Sequence, residues 1–484
     1  MNYPLIARLT GVIIMILGLS MLPSLVVSLV YQEISTVSAF LKSMIPMILI
    51  GILLVWKIRP KSSFLKLREG SIIVALCWIL ASFFGAFPYV LSGAIPDLAN
   101  AFFESASGFS TTGASVIDDV EAVSHGILFW RSFTHWLGGM GILVFIITIL
   151  PALGIGGQKI AQAETPGPTT NKLSSKMSDT GKILYLTYLI LSVLEFLLLL
   201  LGGMNVFDSL IHTFGSMGSG GLSNYSDGVS HFNSLYIELV IAAFTILATI
   251  NFTLYHQLRL GQFREILKDP ELKIYLGIIL TATLLIAANL VYYQVYDPGQ
   301  ALRYALFHTT SFSSTSGFSV QNFDLWPSFS KMLLILLAII GSCSASTGGG
   351  IKVIRMIVFY KMIRRGLFMR IHPRAVISIK VDDKTVSGEV ASGITSFIFL
   401  YLTLLAASTL ILSFDGQDML TTFSATLAML SNVGTGFGMV GPTSNFGVFS
   451  DPAKIFLSFL MLVGRLELYT MVVLLSPALW NPDK

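Results

Sequence analysis

Charge is scarce in this sequence. Asp, Glu, Lys and Arg together make up 12% of its 484 residues, where a soluble globular chain carries roughly a quarter. So little charge cannot clothe a water-soluble surface of this size, which argues against a cytosolic enzyme or a nucleic-acid-binding protein. Cysteine is nearly absent. Its two copies, Cys77 and Cys343, lie in apolar or Gly/Ser-rich surroundings, so neither a disulfide framework nor a cysteine metal site is expected. Catalytic signatures are missing too: there is no GxxxxGK[ST] and no HExxH, and the tracts GGMGI and STGGG fall inside apolar segments. They read as small-residue stretches and not as phosphate cradles, so the chain is expected to be no enzyme and to hold no nucleotide itself. Strict apolar/polar alternation in ten-residue segments is also lacking, which excludes a β-barrel.

Hydrophobic residues, by contrast, make up 54% of the chain, and apolar stretches of about 20 residues recur throughout. The expected fold is an all-α polytopic membrane protein. Two spans near 4–30 and 38–57 come first; the opening one has no small-residue cleavage site and reads as retained. Longer segments follow near 70–92, 125–150, 182–202, 232–256, 272–294, 329–362, 387–413 and 453–477. Between alternate pairs lie shorter stretches near 98–109, 206–217, 299–312 and 418–431, each running into a Gly/Ser/Thr tract. A helix too short to span, followed by non-helical backbone, fits a re-entrant loop that lines a cavity.

Lys and Arg gather in one set of connections, from Lys57 to Arg68, Lys159 to Lys182, Arg259 to Lys273 and Lys352 to Arg374. Asp97, Asp118, Asp119, Glu121, Asp227, Asp297, Asp324, Asp415 and Asp451 lie in the opposite set. The positive-inside rule makes the first set and both termini cytoplasmic, so all four short segments enter from outside. The expected location is the cytoplasmic (inner) membrane.

Aligned on their last glycine, the four tracts are AFFESASGFSTTG (101–113), SLIHTFGSMGSGG (209–221), ALFHTTSFSSTSG (305–317) and SATLAMLSNVGTG (424–436). Gly113, Gly221, Gly317 and Gly436 then recur at spacings of 108, 96 and 119 residues. The unit is span, pore-type loop, span, repeated four times in one polypeptide. Its expected bounds are 1–68 for the N-terminal pair, 69–158 (loop 98–115), 159–258 (loop 206–223), 259–375 (loop 299–319) and 376–484 (loop 418–438). Four such units around one axis form a pseudo-fourfold pore. Backbone carbonyls can strip a monovalent cation of water without trapping it, and glycine lets extended backbone approach the axis. The expected filter is Thr111, Thr112 and Gly113; Gly220 and Gly221; Thr315, Ser316 and Gly317; and Gly434, Thr435 and Gly436. One aligned glycine per repeat, in place of a TVGYG run, points to weaker discrimination among alkali cations than in tetrameric potassium channels.

The motifs FESASGFSTTGAS (103–115), RSFTHWLGGMGI (131–142), ETPGP (164–168), GSCSASTGGGIKVIR (341–355) and GRLELYT (464–470) resemble those of TrkH/TrkG potassium uptake proteins. The resemblance covers essentially the whole chain, and the two extra N-terminal spans favour this branch over KtrB. In the plant relatives a serine at the first filter glycine goes with sodium transport, so Gly113 suggests potassium. The resemblance implies a homodimer in the lipid membrane, potassium ions as the only bound group, and a cytosolic TrkA-like ring that carries the nucleotide. The basic segment 352–374 and the loop 151–181 are the expected docking surfaces for that ring.

Two inner features have their own physical content. Gly341, Ser342, Cys343, Ser344, Ala345, Ser346, Thr347, Gly348, Gly349 and Gly350 interrupt the span 329–362. Three consecutive glycines cost roughly 1 kcal/mol each against alanine in a helix, so the helix should break there. The family resemblance makes this region an intramembrane gate; the plainer reading is a packing kink. Arg465 lies midway along the apolar run 455–475, where an unpaired arginine costs about 2.5–3.5 kcal/mol. It should hold the Gly-rich loop through carbonyls, or else pair with a carboxylate. Glu104, His212 and His308 stand nine residues before their filter glycines, and Leu427 breaks the series. They are expected to be packing polars, and Asp118, Asp119 and Asp324 loop charges at the outer mouth. A secondary transporter working by alternating access is the competing function; such folds use inverted repeats, whereas these four segments share one orientation.

Overall fold

The computed structural model describes residues 1–60, 67–141, 177–375, 377–381 and 384–477. Most of the expected docking loop 151–181, with ETPGP at 164–168, lies outside the described residues. Among those described the chain is helical, apart from one two-residue antiparallel ribbon pairing Lys380–Val381 with Lys384–Thr385. Among the described residues, six helices are long and apolar enough to cross a membrane: Tyr3–Val30, Ile34–Lys57, Glu69–Ser92, Ile183–Leu201, Pro270–Tyr292 and Gly388–Asp415.

Three of the expected spans are not continuous helices. Residues 232–256 bend by 90° between Leu235–Thr249 and Phe252–Arg259, and 453–477 bend by 120° between Asp451–Arg465 and Tyr469–Leu475. Hydropathy reports the apolar run but not its direction. The second bend sits at Glu467 and Leu468, which have positive φ of 52° and 60°. Arg465 therefore ends a helix and does not lie mid-span as the hydropathy run suggests. The 329–362 run divides into Ser328–Ile340 and Val353–Ile371 across the glycine tract, as three adjacent glycines require. The helix His125–Gly139 likewise stops at a glycine pair.

Each repeat places a short helix between an outer and an inner one. The four short helices are Leu98–Phe109, Val206–Met217, Pro298–Ser313 and Met419–Leu430. All begin at an Asp or Asn N-cap: Asp97, Asn205, Asp297 and Asp418. Three of these side chains accept a backbone N–H of the first turn, such as Asn100 N to Asp97 Oδ2 at 2.8 Å. Such caps offset N–H groups that the helix leaves unpaired.

The N-terminal hairpin packs by small residues. A methyl group at Gly51 would fall 2.7 Å from both Gly11 O and Met15 Cβ, so the two helices touch backbone to backbone. Glu33, at the tip of this hairpin, accepts the backbone N–H groups of His125 (2.6 Å) and Gly126 (3.0 Å). One carboxylate thus docks the hairpin and caps the first inner helix.

Candidate ion-conduction site

The four short helices end alike. Ser110, Gly218, Ser314 and Ser431 are their C-caps, and the next residues, Thr111, Ser219, Thr315 and Asn432, turn left-handed at φ 57°, 54°, 59° and 54°. Each turn is closed by the same pair of backbone bonds: Thr111 N to Gly108 O and Thr112 N to Ser107 O in the first, Asn432 N to Met429 O and Val433 N to Ala428 O in the fourth. This is the Schellman arrangement, here built on residues other than glycine. A left-handed L-residue costs roughly 1–2 kcal/mol, and four such residues at matched positions mark a segment held in place by its surroundings. Two residues on comes a glycine at positive φ in every repeat: Gly113 (82°), Gly221 (65°), Gly317 (73°) and Gly434 (83°).

These glycines close a ring. A Cβ on Gly113 would overlap the carbonyl oxygen of Gly220, on Gly221 that of Ser316, on Gly317 that of Val433, and on Gly434 that of Thr112. Each glycine abuts the residue just before the glycine of the next repeat, and the fourth returns to the first. No backbone N–H among the described residues donates to the carbonyls of Thr111–Gly113, Ser219–Gly221, Thr315–Gly317 or Asn432–Gly434. The loops thus combine carbonyl oxygens free of backbone donors, Gly317 O alone accepting the Thr435 hydroxyl (3.4 Å) among the described residues, with the C-terminal ends of four helices, whose dipoles favour a cation.

This geometry corrects the register of the fourth loop. Gly434, not Gly436, is the counterpart of Gly113. Gly436 lies beyond the ring, its N–H donating to Val440 O, while Thr435 follows the ring glycine and its Oγ1 donates to Gly317 O at 3.4 Å. Two glycines alternate in NVGTG, and aligning on the last one slides the loop by two residues. Counting from the N-cap resolves it: Asp97, Asn205 and Asp418 each precede their ring glycine by sixteen residues. The same correction makes Ala425, not Leu427, the position matching Glu104, His212 and His308. Ser219, Asn432 and Val433 lie outside the expected set but occupy the ring positions matching Thr111, Thr111 and Thr112, and Val433 supplies the carbonyl that Gly317 abuts.

Beneath the ring lies the tract 341–350. Gly349 N donates to Thr315 Oγ1 (2.7 Å), and Ser219 Oγ to Thr347 O (3.0 Å). A Cβ on Gly349 would overlap Ser431 O, and one on Gly348 would come within 2.8 Å of Ser314 O. The tract therefore touches three of the four ring-forming turns. Arg465 donates to Thr347 O (2.5 Å) and to Gly138 O and Gly139 O (2.5 and 2.9 Å). Glu467 instead pairs with Arg355.

The family model described as "TrkH: Cation transport protein" matches residues 36–481. The chain belongs to the TrkH family. It is 36% identical to the Trk system potassium uptake protein TrkH of Salmonella typhimurium, across 99% of this chain and 100% of that one. Identity to the Trk system potassium uptake protein TrkG of Escherichia coli K12 is 34%, across 98% of each. The crystal structure of the potassium transporter TrkH from Vibrio parahaemolyticus superposes with a TM-score of 0.89 at 33% identity, covering 99% and 100% of the two chains.

Within this TrkH-family fold, several anchors escape a reading of motifs. Lys352, buried and at φ 85°, donates from Nζ to Gly348 O and to Ser342 Oγ (3.3 Å). Glu271, from the neighbouring outer helix, accepts Ser344 N (2.7 Å), Ser344 Oγ (2.8 Å) and Ile354 N (3.2 Å). Tyr401 and Asn432 hold the fourth turn, Tyr401 Oη lying 2.6 Å from Ser431 Oγ and Asn432 Nδ2 donating to Thr112 Oγ1 at 2.9 Å. The only sequence signal for Lys352 and Glu271 is a charge bordering an apolar run. Glu104 and His212 brace the strands that leave the ring, Glu104 through Ser115 Oγ and Val116 N, His212 through Ser223 Oγ. His308 Nδ1 bonds Tyr304 O within its own helix. Asp118 binds Asn445 Nδ2 (2.6 Å), and Asp324 accepts Gly438 N (3.2 Å). Asp119 caps a turn by accepting Glu121 N (3.1 Å). These outer carboxylates staple loops together.

Proposed function

We propose that this chain moves potassium ions across the cytoplasmic membrane through the ring formed by residues 111–113, 219–221, 315–317 and 432–434. The observation that carries this reading is the closed cycle of four glycine–carbonyl contacts at matched offsets. It leaves one path on the pseudo-fourfold axis, lined by carbonyls and hydroxyls suited to a dehydrated monovalent cation. The relatives' description as potassium uptake proteins supports potassium as that cation. The four loops converge with equivalent backbone, which favours a pore over an alternating-access carrier built from inverted halves.

Residues 341–350 are the gate in this proposal. They press on three filter turns from below, and Arg465, Lys352 and Glu271 tether them. A cytosolic nucleotide-binding ring opens the gate by drawing on the basic helix Val353–Ile371, which continues directly from the tract. The lysine and arginine distribution supports cytoplasmic termini, and the family relationship supports a homodimer. The test is rubidium uptake into proteoliposomes holding the full chain, with and without its cytosolic partner, competed by potassium or sodium. Block by potassium far better than by sodium supports the proposal. Uptake that requires an imposed coupling-ion gradient would replace it with the carrier.

A further inference from the structure

The ring is fourfold in backbone, but its supports are not. Behind the junction of the first and second filter turns lies an ion pair, Glu104 with Arg131, whose side chains are 0% and 3% exposed. Arg131 Nε donates to Glu104 Oε1 at 2.6 Å, and its Nη1 donates to Ser223 O at 3.0 Å. Glu104 meanwhile accepts Ser115 Oγ (3.0 Å) and Val116 N (2.9 Å). Ser115 lies two residues beyond ring glycine Gly113, and Ser223 two beyond Gly221. One guanidinium therefore ties the strand leaving the first turn to the strand leaving the second. It does so at the junction where Gly113 abuts Gly220.

The other junctions are held differently. Between the second and third repeats the tie is Arg303 to Glu238, bidentate at 2.7 Å for both bonds, with Arg303 partly exposed. Asp324 and Gly438 join the third and fourth, and Phe446 N to Ser115 O (2.9 Å) joins the fourth to the first. Among the described residues, only the first junction has a fully buried charge pair behind its filter.

We infer that Arg131, locked by Glu104, is a positioning residue for selectivity: it pins the first filter junction at the width that suits the larger cation. The inference rests on the potassium-pore reading above. A smaller ion draws carbonyl oxygens inward, against their mutual repulsion, only if the backbone behind them can follow. A planar guanidinium bonded on two sides holds both strands at a set separation. A lysine keeps the charge but cannot bond Glu104 and the Ser223 carbonyl in the same fork. The matching positions in the other repeats, His212, His308 and Ala425, carry no such pair, so the effect belongs to the first junction.

The experiment is rubidium uptake by the full chain in proteoliposomes with its partner, competed by potassium and by sodium. It compares the wild type with Arg131→Lys, Glu104→Gln and the outer control Arg303→Lys. In Arg131→Lys, uptake persists while sodium competes about fivefold better relative to potassium, the equivalent of one charge-assisted hydrogen bond weakened. Arg303→Lys keeps the wild-type ratio. A merely structural Arg131 would lower the amount of folded protein and leave the ratio alone. Should Arg131→Lys not yield monodisperse protein, Glu104→Gln, which keeps the side-chain volume, is read in its place with the same shift expected. An unchanged ratio in a conducting variant overturns the inference while the pore reading stands. A wild type that fails to discriminate potassium from sodium overturns the inference and the potassium assignment, whereas uptake that requires a coupling-ion gradient overturns the pore itself.

Discussion

Gly434 and Gly436 stand two residues apart and are expected to respond oppositely to the same substitution. A methyl group at Gly434 would overlap Thr112 O, and its φ of 83° is unfavourable for alanine. Gly434→Ala should therefore abolish rubidium uptake. At Gly436 the same methyl group meets Ser424 Oγ and Val440 Cγ2 at 2.8 Å and Ser424 C at 3.3 Å, but overlaps no ring carbonyl. The matching positions in the other repeats, Ser115, Ser223 and Ser319, already carry a Cβ. Gly436→Ala should keep most of the uptake, and the reverse order would restore the register that last-glycine alignment suggests. Asn432 offers a second check. Its side chain donates to Thr112 Oγ1 and Met461 O, both at 2.9 Å. Asn432→Ala should destabilise the protein by about 1–3 kcal/mol, read as a lower melting temperature, because buried acceptors lose their donor. The first three ring glycines are visible in the sequence because each closes its tract. The fourth is not, because a second glycine follows and only the turn chosen by the backbone distinguishes them.

At the scale of elements, the tract 341–350 is legible as a broken helix and Arg465 as a charge needing oxygen partners. What the tract touches is not legible. Its neighbours come from Ser219, Thr315 and Ser431, each in a different part of the chain, and its tethers are Arg465 and Glu271 from two further helices and Lys352, two residues beyond the tract. Each charged tether contributes about 1.5–3 kcal/mol to holding the tract against the filter. Removing one raises a small open population roughly tenfold or more. Arg465→Ala and Glu271→Gln should therefore each increase rubidium flux in the absence of the partner. Lys352→Met should do the same, since its Nζ bonds the Gly348 carbonyl within the tract. A fall in flux with protein still folded would make these residues supports of the open path and end the gate assignment. The bends at Ile250 and Leu468 teach the same lesson: an apolar run of 20 residues states that a segment lies in lipid, not that it is straight.

For the whole molecule, the expected orientation follows from charge. Both native cysteines are buried, so background labelling in accessibility experiments is low. Asp119→Cys should react with an impermeant thiol reagent from outside the cell, and Arg365→Cys only from the cytoplasm; the opposite pattern would invert the topology. The N-terminal hairpin meets the repeats through Glu33. Glu33→Ala removes the cap of the first inner helix and should cost about 1–2 kcal/mol of stability with uptake retained. Loss of uptake without loss of stability would instead tie the hairpin to conduction.

Composition and hydropathy by themselves determined that this is a helical membrane protein with four span–loop–span units, since scarce charge and 20-residue apolar runs leave no other solvent for the chain. Glycine and hydroxyl residues at recurring positions marked where the four loops converge, because only small residues let backbones approach so closely. The tertiary structure decided which glycine of the fourth loop joins the ring, which carbonyls the tract and Arg465 face, and that Arg131 and Glu104 link the strands leaving the first two ring turns. Those outcomes depend on which backbones meet across 90 to 320 residues of sequence separation, as for Arg131 with Ser223 and Thr112 with Asn432. Local propensity ends at the helix cap, and close packing of four repeats settles the rest.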